Sequence, residues 1–167
     1  MESKARLLGH SIHQILVPIP IGLFVMATGC DVVVMAGWAP GLANVAFVNL
    51  FVGVGGALAA ALFGTIDWTA IPRQSRAGRI GLIHGLGNLV VVALFAVSVI
   101  SRWDTPGHAP TTIGFVLEVL AFVLLLLTSW LGGELVVRLG VGVDDHANVN
   151  APSSLGLRRF ASKKKDP

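Results

Sequence analysis

Four long apolar runs fill this chain: Ile15–Ala36, Val45–Ile66, Ile80–Ile100 and Ile113–Val137. Each is long enough to cross a bilayer core as a helix, which takes about 20 residues. Successive helices reverse direction. The start of the first, the end of the second, the start of the third and the end of the fourth therefore share one face. The polar residues collect there: His10 and His13, Asp67, His84 with Asn88, and Glu134 with Arg138. Polar groups within a membrane are costly and by default point to function. The pattern predicts an all-α integral membrane protein, a four-transmembrane-helix bundle, with one polar layer. It divides into a lead-in (1–12), a transmembrane domain (13–140; spans about 15–36, 45–66, 80–100 and 113–137) and a disordered basic tail (141–167).

Composition agrees. Hydrophobic residues make up 54% of the 167, charged residues only 13%, and the mean hydropathy is +0.78. Soluble domains carry about 25% charged residues. The first run is too long for a signal-peptide core, lacks a clear cleavage site, and is followed by three more spans. The net charge of +3 reflects loop bias rather than affinity for nucleic acid. Lys4 and Arg6, then Arg73, Arg76 and Arg79, then Arg158, Arg159 and Lys163 to Lys165 fall on the polar-layer side, whereas the opposite loops hold Arg102 with Asp104. The positive-inside rule then places both termini and the polar layer on the cytoplasmic side.

Local features refine this plan. Pro18 and Pro20 fall in the first turns of span one, where a missing N–H matters least. Asp31 reads as a residue reaching the opposite interface. Glu118 lies inside span four, either paired with a neighbour or lining a small polar pocket. Trp38 and Trp103 suit one aromatic belt, Trp68 and Trp130 the other. Gly53, Gly55 and Gly56 permit close helix approach, within the bundle or between copies in a homo-oligomer. The helix pairs share a coarse plan, each entering near a His and leaving near an acid, without a convincing tandem repeat. Cys30 is the only cysteine, so no internal disulfide or thiolate cluster forms.

The polar layer supports several chemistries. His13 and His84 on two helices are placed to clamp a haem iron from both sides. Gly81, Gly85 and Gly87 would let a flat macrocycle approach. Asn88, one turn from His84, would orient it or bind the cofactor, and Arg138 would neutralise propionates. Alternatively His13, His84, Asp67 and Glu134 offer one ligand per helix to a transition metal. Proton handling is a third reading, weakened because the set is confined to one face. The structural alternative is a non-catalytic scaffold whose polar layer fixes helix register, with Glu134 paired to Arg138 and Asp67 to an indole or basic loop residue. The chain shows no hydrolase or transferase constellation and no phosphate-binding loop.

The stretches GHSIHQILVPIPIG (9–22), Asp67–Trp68, His84 with Asn88, and SWLGGELVVRLGVGV (129–143) resemble a bacterial membrane family, domain of unknown function (DUF) 2231, over residues 9–143. The resemblance implies the bacterial inner membrane. In that family the opening reads like H-P-x-L-V-H-F-P. Here His13 matches the first His, Gln14 replaces Pro, and Pro18 stands at the second His; a family site that needs both is then either lost in this chain or completed by His10 instead. Relatives that carry the domain beside Rieske or cytochrome c modules imply redox chemistry. The resulting expectation is a b-type haem-binding subunit passing electrons between haem and a quinone or partner protein.

Overall fold

A computed structural model describes residues 1–155; the basic end of the tail, 156–167, lies outside the described residues. Four spans cross the molecule: Ile12–Met35, Leu42–Trp68, Arg76–Ser101 and Pro106–Arg138. Span one is broken at Val17 into α1 (Ile12–Leu16) and α2 (Pro18–Met35), with Pro18 at the first helical position. Spans two and three are α3 (Leu42–Trp68) and α4 (Arg76–Ser101). Span four is α5 (Thr112–Gly133), whose last turns widen into a π-helix over Glu134–Arg138. Ser75 caps α4 by accepting from the Gly78 amide at 3.0 Å, and Thr111 caps α5 through Gly114 at 3.0 Å.

The distribution of side chains is inside out relative to a water-soluble protein. Leu62, Leu89, Ile113 and Leu127 are exposed on the helix surfaces, whereas Asp31, Arg102 and Glu118 are each 0% exposed. Lipid solvates the former; the latter survive only because they meet one another.

The helices pack in a ring, with α2 on α3, α3 on α4, α4 on α5, and α5 back on α2. The two hairpins prove to be equivalent, a relation the sequence alone did not disclose. At one constant offset, His13, Pro20, Phe24, Ala27 and Asp31 of span one match His84, Val91, Phe95, Ser98 and Arg102 of span three. At a second constant offset, Ala46, Leu50, Gly53, Ala60 and Gly64 match Gly114, Glu118, Ala121, Thr128 and Gly132. The buried positions of one hairpin are thus largely the buried positions of the other. Matched residues meet at the centre: Phe24 stacks on Phe95 with centroids 4.0 Å apart, and Asp31 pairs with Arg102 at 2.5 Å. The bundle is therefore a two-fold arrangement of helical hairpins about an axis along the membrane normal. The repeat is one of burial and register, with little residue identity, so pattern matching along the chain misses it.

The lead-in is structured. β1 (Arg6–Leu7) pairs antiparallel with β2 (His10–Ser11). Leu8 and Gly9 close the turn at φ 52° and 89°. Two left-handed residues suit the twist of a two-residue hairpin. Residues 141–155 form successive turns at the same end of the bundle, where the Ser154 hydroxyl meets His10 at 3.3 Å.

Candidate functional site

At the end that carries the N-terminus and residues 141–155, the four helices diverge around a cavity of about 640 Å³. Drug-sized and cofactor pockets span about 300–1,000 Å³. Its wall is mainly apolar, with Ile21, Phe24, Val91, Leu125 and Leu135 among the lining residues. The stacked Phe24 and Phe95 rings close the centre of the bundle below it. Ser3 and Ser11 line the mouth.

His13 and His84 both line this cavity, and they are held in the same way. His13 Nδ1 lies 2.7 Å from the Ala60 carbonyl, and His84 Nδ1 lies 2.9 Å from the Thr128 carbonyl. A carbonyl only accepts, so each Nδ1 carries the proton and donates it. One helical turn beyond each carbonyl stands a glycine. A Cβ on Gly64 would sit 2.8 Å from His13 Nδ1, and one on Gly132 would sit 3.1 Å from His84 Cε1. Each imidazole lies in a notch that only glycine leaves open. In the neutral ring this bond leaves the lone pair on Nε2, at the other side of each imidazole. His13 Nε2 has no hydrogen bond among the described residues, and His84 Nε2 has a contact of 3.3 Å with the Asn88 amide.

Asn88 behaves as its spacing predicts. Its side chain contacts the His84 ring and backbone carbonyl, and its Oδ1 accepts from Thr128 Oγ1 at 3.1 Å. Thr128 thus anchors the imidazole with its carbonyl and the amide beside it with its hydroxyl.

Several expected site residues have other duties. Asp67 lines the cavity, but its carboxylate is fully engaged. Oδ1 accepts from Ser3 Oγ at 2.6 Å and from the amides of Lys4 and Ala5 at 2.9 and 3.0 Å; Oδ2 accepts from Ser11 Oγ at 3.1 Å. It fastens the lead-in across the cavity mouth and is neither a poised metal ligand nor the partner of an indole. We expect Asp67→Ala to cost about 2 kcal/mol, the scale of a hydrogen-bonded charge removed from a half-buried site. Amide hydrogen exchange at Lys4 and Ala5 should accelerate at least tenfold, while the centres of α3 and α4 stay protected.

Glu134 is drawn away from the cavity by Arg76, which it meets at 2.6 Å, rather than pairing with Arg138. Arg138 is exposed at the end of the π-helix, and neither residue lines the cavity. Among the described residues no Lys or Arg lines it, so no propionate-neutralising arginine is in place. The set His13, Asp67, His84 and Glu134 does not converge, and no group of three or more His, Cys, Asp or Glu able to hold a metal occurs among the described residues. His10 is in β2 and is not part of the lining. Of the three glycines near His84, only Gly85 opens onto free space; Trp68 fills the place beside Gly81 and the Thr128 methyl that beside Gly87. Trp68 itself is turned inward, with Nε1 donating to the Gly78 carbonyl at 3.3 Å, while Trp130 stays exposed at this end.

The opposite end holds a cluster that the sequence reading underestimated. Asp31 does not reach an interface and Arg102 is not a solvated loop residue. Both are buried and meet each other; Arg102 Nη2 also lies 2.9 Å from Glu118 Oε2 and 3.1 Å from Ser98 Oγ, and Ser98 Oγ meets Glu118 Oε2 at 3.1 Å.

No curated protein and no solved structure matches this chain. A family model described as "Predicted membrane protein (DUF2231)" matches residues 9–145, which span both hairpins, the buried cluster and the cavity lining apart from Met1, Glu2 and Ser3. The chain belongs to the DUF2231 family of predicted membrane proteins.

Proposed function

We propose that this protein binds a b-type haem in the cavity, ligated by His13 and His84, and serves as an electron-transfer subunit of the membrane. The observation that carries this reading is the fixed tautomer of both imidazoles. Each donates Nδ1–H to a backbone carbonyl, as metal-ligating histidines characteristically do. A neutral imidazole held this way presents a lone pair at Nε2. It can ligate a metal and cannot donate a proton to a quinone carbonyl, which favours a metal centre over a quinone pocket at this place.

The residues also fit a flat apolar group. The cavity wall is largely hydrocarbon, and a Cβ at Gly85 would meet nothing within 4 Å. Bound haem supplies one-electron chemistry, with its potential tuned by axial ligands, hydrogen bonding and burial. The chain contributes the two nitrogen ligands, keeps their orientation through Ala60 and Thr128, and excludes water with the Phe24–Phe95 stack. Arg73 of the α3–α4 connection, with Arg76 and Arg79 in the first turn of α4, supports a cytoplasmic orientation of this end under the positive-inside rule.

A reduced-minus-oxidised absorption spectrum of detergent-purified protein, expressed with a haem precursor, tests the reading. A sharp α band at one haem per chain is expected, lost in both His13→Ala and His84→Ala. A flat spectrum from folded protein rejects it. The scaffold reading would then stand, because the same two hydrogen bonds also set the register of each hairpin; both variants would lower thermal stability with no cofactor at stake.

A further inference from the structure

We propose that Asp31 and Glu118, bridged by Arg102, form a proton-binding site that holds one proton in the half of the membrane opposite the cavity. The inference does not depend on the haem reading. Two carboxylates and one guanidinium carry a net charge of −1 when all are ionised. All three side chains are 0% exposed. A net charge held in a medium without water costs several kcal/mol, more than an imperfect pairing returns. One further positive charge must therefore be present, and the geometry favours a proton.

The two carboxylates compete for the same guanidinium nitrogen. Arg102 Nη2 lies 2.5 Å from Asp31 Oδ2 and 2.9 Å from Glu118 Oε2. The remaining oxygens, Asp31 Oδ1 and Glu118 Oε1, are buried and without a hydrogen-bond donor among the described residues. Buried acceptors without donors are rare in native structures. Two carboxyl groups at this spacing relieve both problems by sharing a proton, which removes the like-charge repulsion and turns one acceptor into a donor. Thr28 Oγ1, one turn before Asp31, is likewise buried and unpartnered.

Among the described residues no other cationic side chain pairs with Asp31 or Glu118. Around the cluster, α2 contributes Cys30 and Thr28, and α4 contributes Ser98. The buried residues in the first half of α3, Ala43, Ala46, Phe47, Leu50 and Gly53, include no titratable group. His108 stacks on Phe47 at 3.9 Å, and its Nδ1 approaches the Arg102 carbonyl at 3.4 Å rather than a carboxylate. The site also breaks the two-fold relation in an informative way. Leu50 is the match of Glu118, so one hairpin brings two charged residues (Arg102 and Glu118) and the other brings one.

The test combines infrared spectroscopy with a charge cycle on the full-length protein in detergent. The wild type should show the C=O stretch of a protonated carboxylic acid at neutral pH. Glu118→Gln and Asp31→Asn should each abolish that band, since the remaining carboxylate pairs with Arg102. Each single variant mimics the protonated acid and should leave the unfolding midpoint nearly unchanged. The double variant leaves Arg102 unpaired and should lower the midpoint by about 10 °C or more. Absence of the band in the wild type overturns the proposal, whether or not the variants fold. A wild-type midpoint that rises with sodium, without the band, would assign the missing charge to a metal cation instead and also overturns it.

Discussion

Arg102→Met should be the most damaging single substitution in the molecule, costing about 3–5 kcal/mol, the scale for removing one partner of a buried ionic set. Thermal unfolding in detergent, followed by circular dichroism, measures it. The physical reason is asymmetry between making and breaking. Arg102 is the only cation of a cluster whose other charged members, Asp31 and Glu118, are also 0% exposed. Without it two carboxyl groups face each other in hydrocarbon. The same reasoning predicts a rescue. Adding Asp31→Asn and Glu118→Gln to Arg102→Met removes every charge, and most of the lost stability should return, because neutral replacement of an entire buried ionic set is often tolerated. A triple variant no more stable than Arg102→Met would show instead that the shape of the cluster, rather than its charge, holds this end together.

The four spans were legible because hydrocarbon imposes a crude rule: about 20 apolar residues, repeated, with basic loops on one side. His13, His84 and Asn88 were legible for a related reason, since polar residues at matching depths stand out against an apolar background. Their partners were not. Ala60 and Thr128 act through backbone carbonyls, and Gly64 and Gly132 through the absence of a side chain, so neither leaves a chemical mark in the sequence. Their only signal is position: His13 and His84 share one offset with Phe24 and Phe95, and Gly64 and Gly132 share another with Ala60 and Thr128. Asp31 and Arg102 were misjudged because each lies near a span end, and Glu118, open to pairing with a neighbour, lies alone within its span with no partner marked in the sequence. Only packing reveals that two span ends and a mid-helix residue converge.

On the proposed haem reading, Gly64→Val and Gly132→Val should each abolish haem binding while leaving both histidines in the chain. The expected loss is at least tenfold in bound haem, read from the reduced-minus-oxidised spectrum against protein concentration, in keeping with the 10–100-fold effect of disturbing the groups that orient a metal ligand. A side chain at Gly64 starts with a Cβ 2.8 Å from His13 Nδ1, and one at Gly132 with a Cβ 3.1 Å from His84 Cε1. At Gly64 the Cβ alone forces the ring to shift, and at Gly132 the Cβ presses the ring by a few tenths of an ångström and the valine methyls add to it, which disturbs the hydrogen bond that fixes the tautomer. Gly55→Val is the matched control, because a Cβ there meets nothing within 4 Å on the same helix as Gly64. It adds the same side chain to α3 and should retain full haem. The comparison separates positioning from ligation, which His→Ala alone does not. If Gly64→Val and Gly132→Val keep their haem, the carbonyl bonds are incidental to binding. If only one of them loses it, the two hairpins contribute unequally despite their common register.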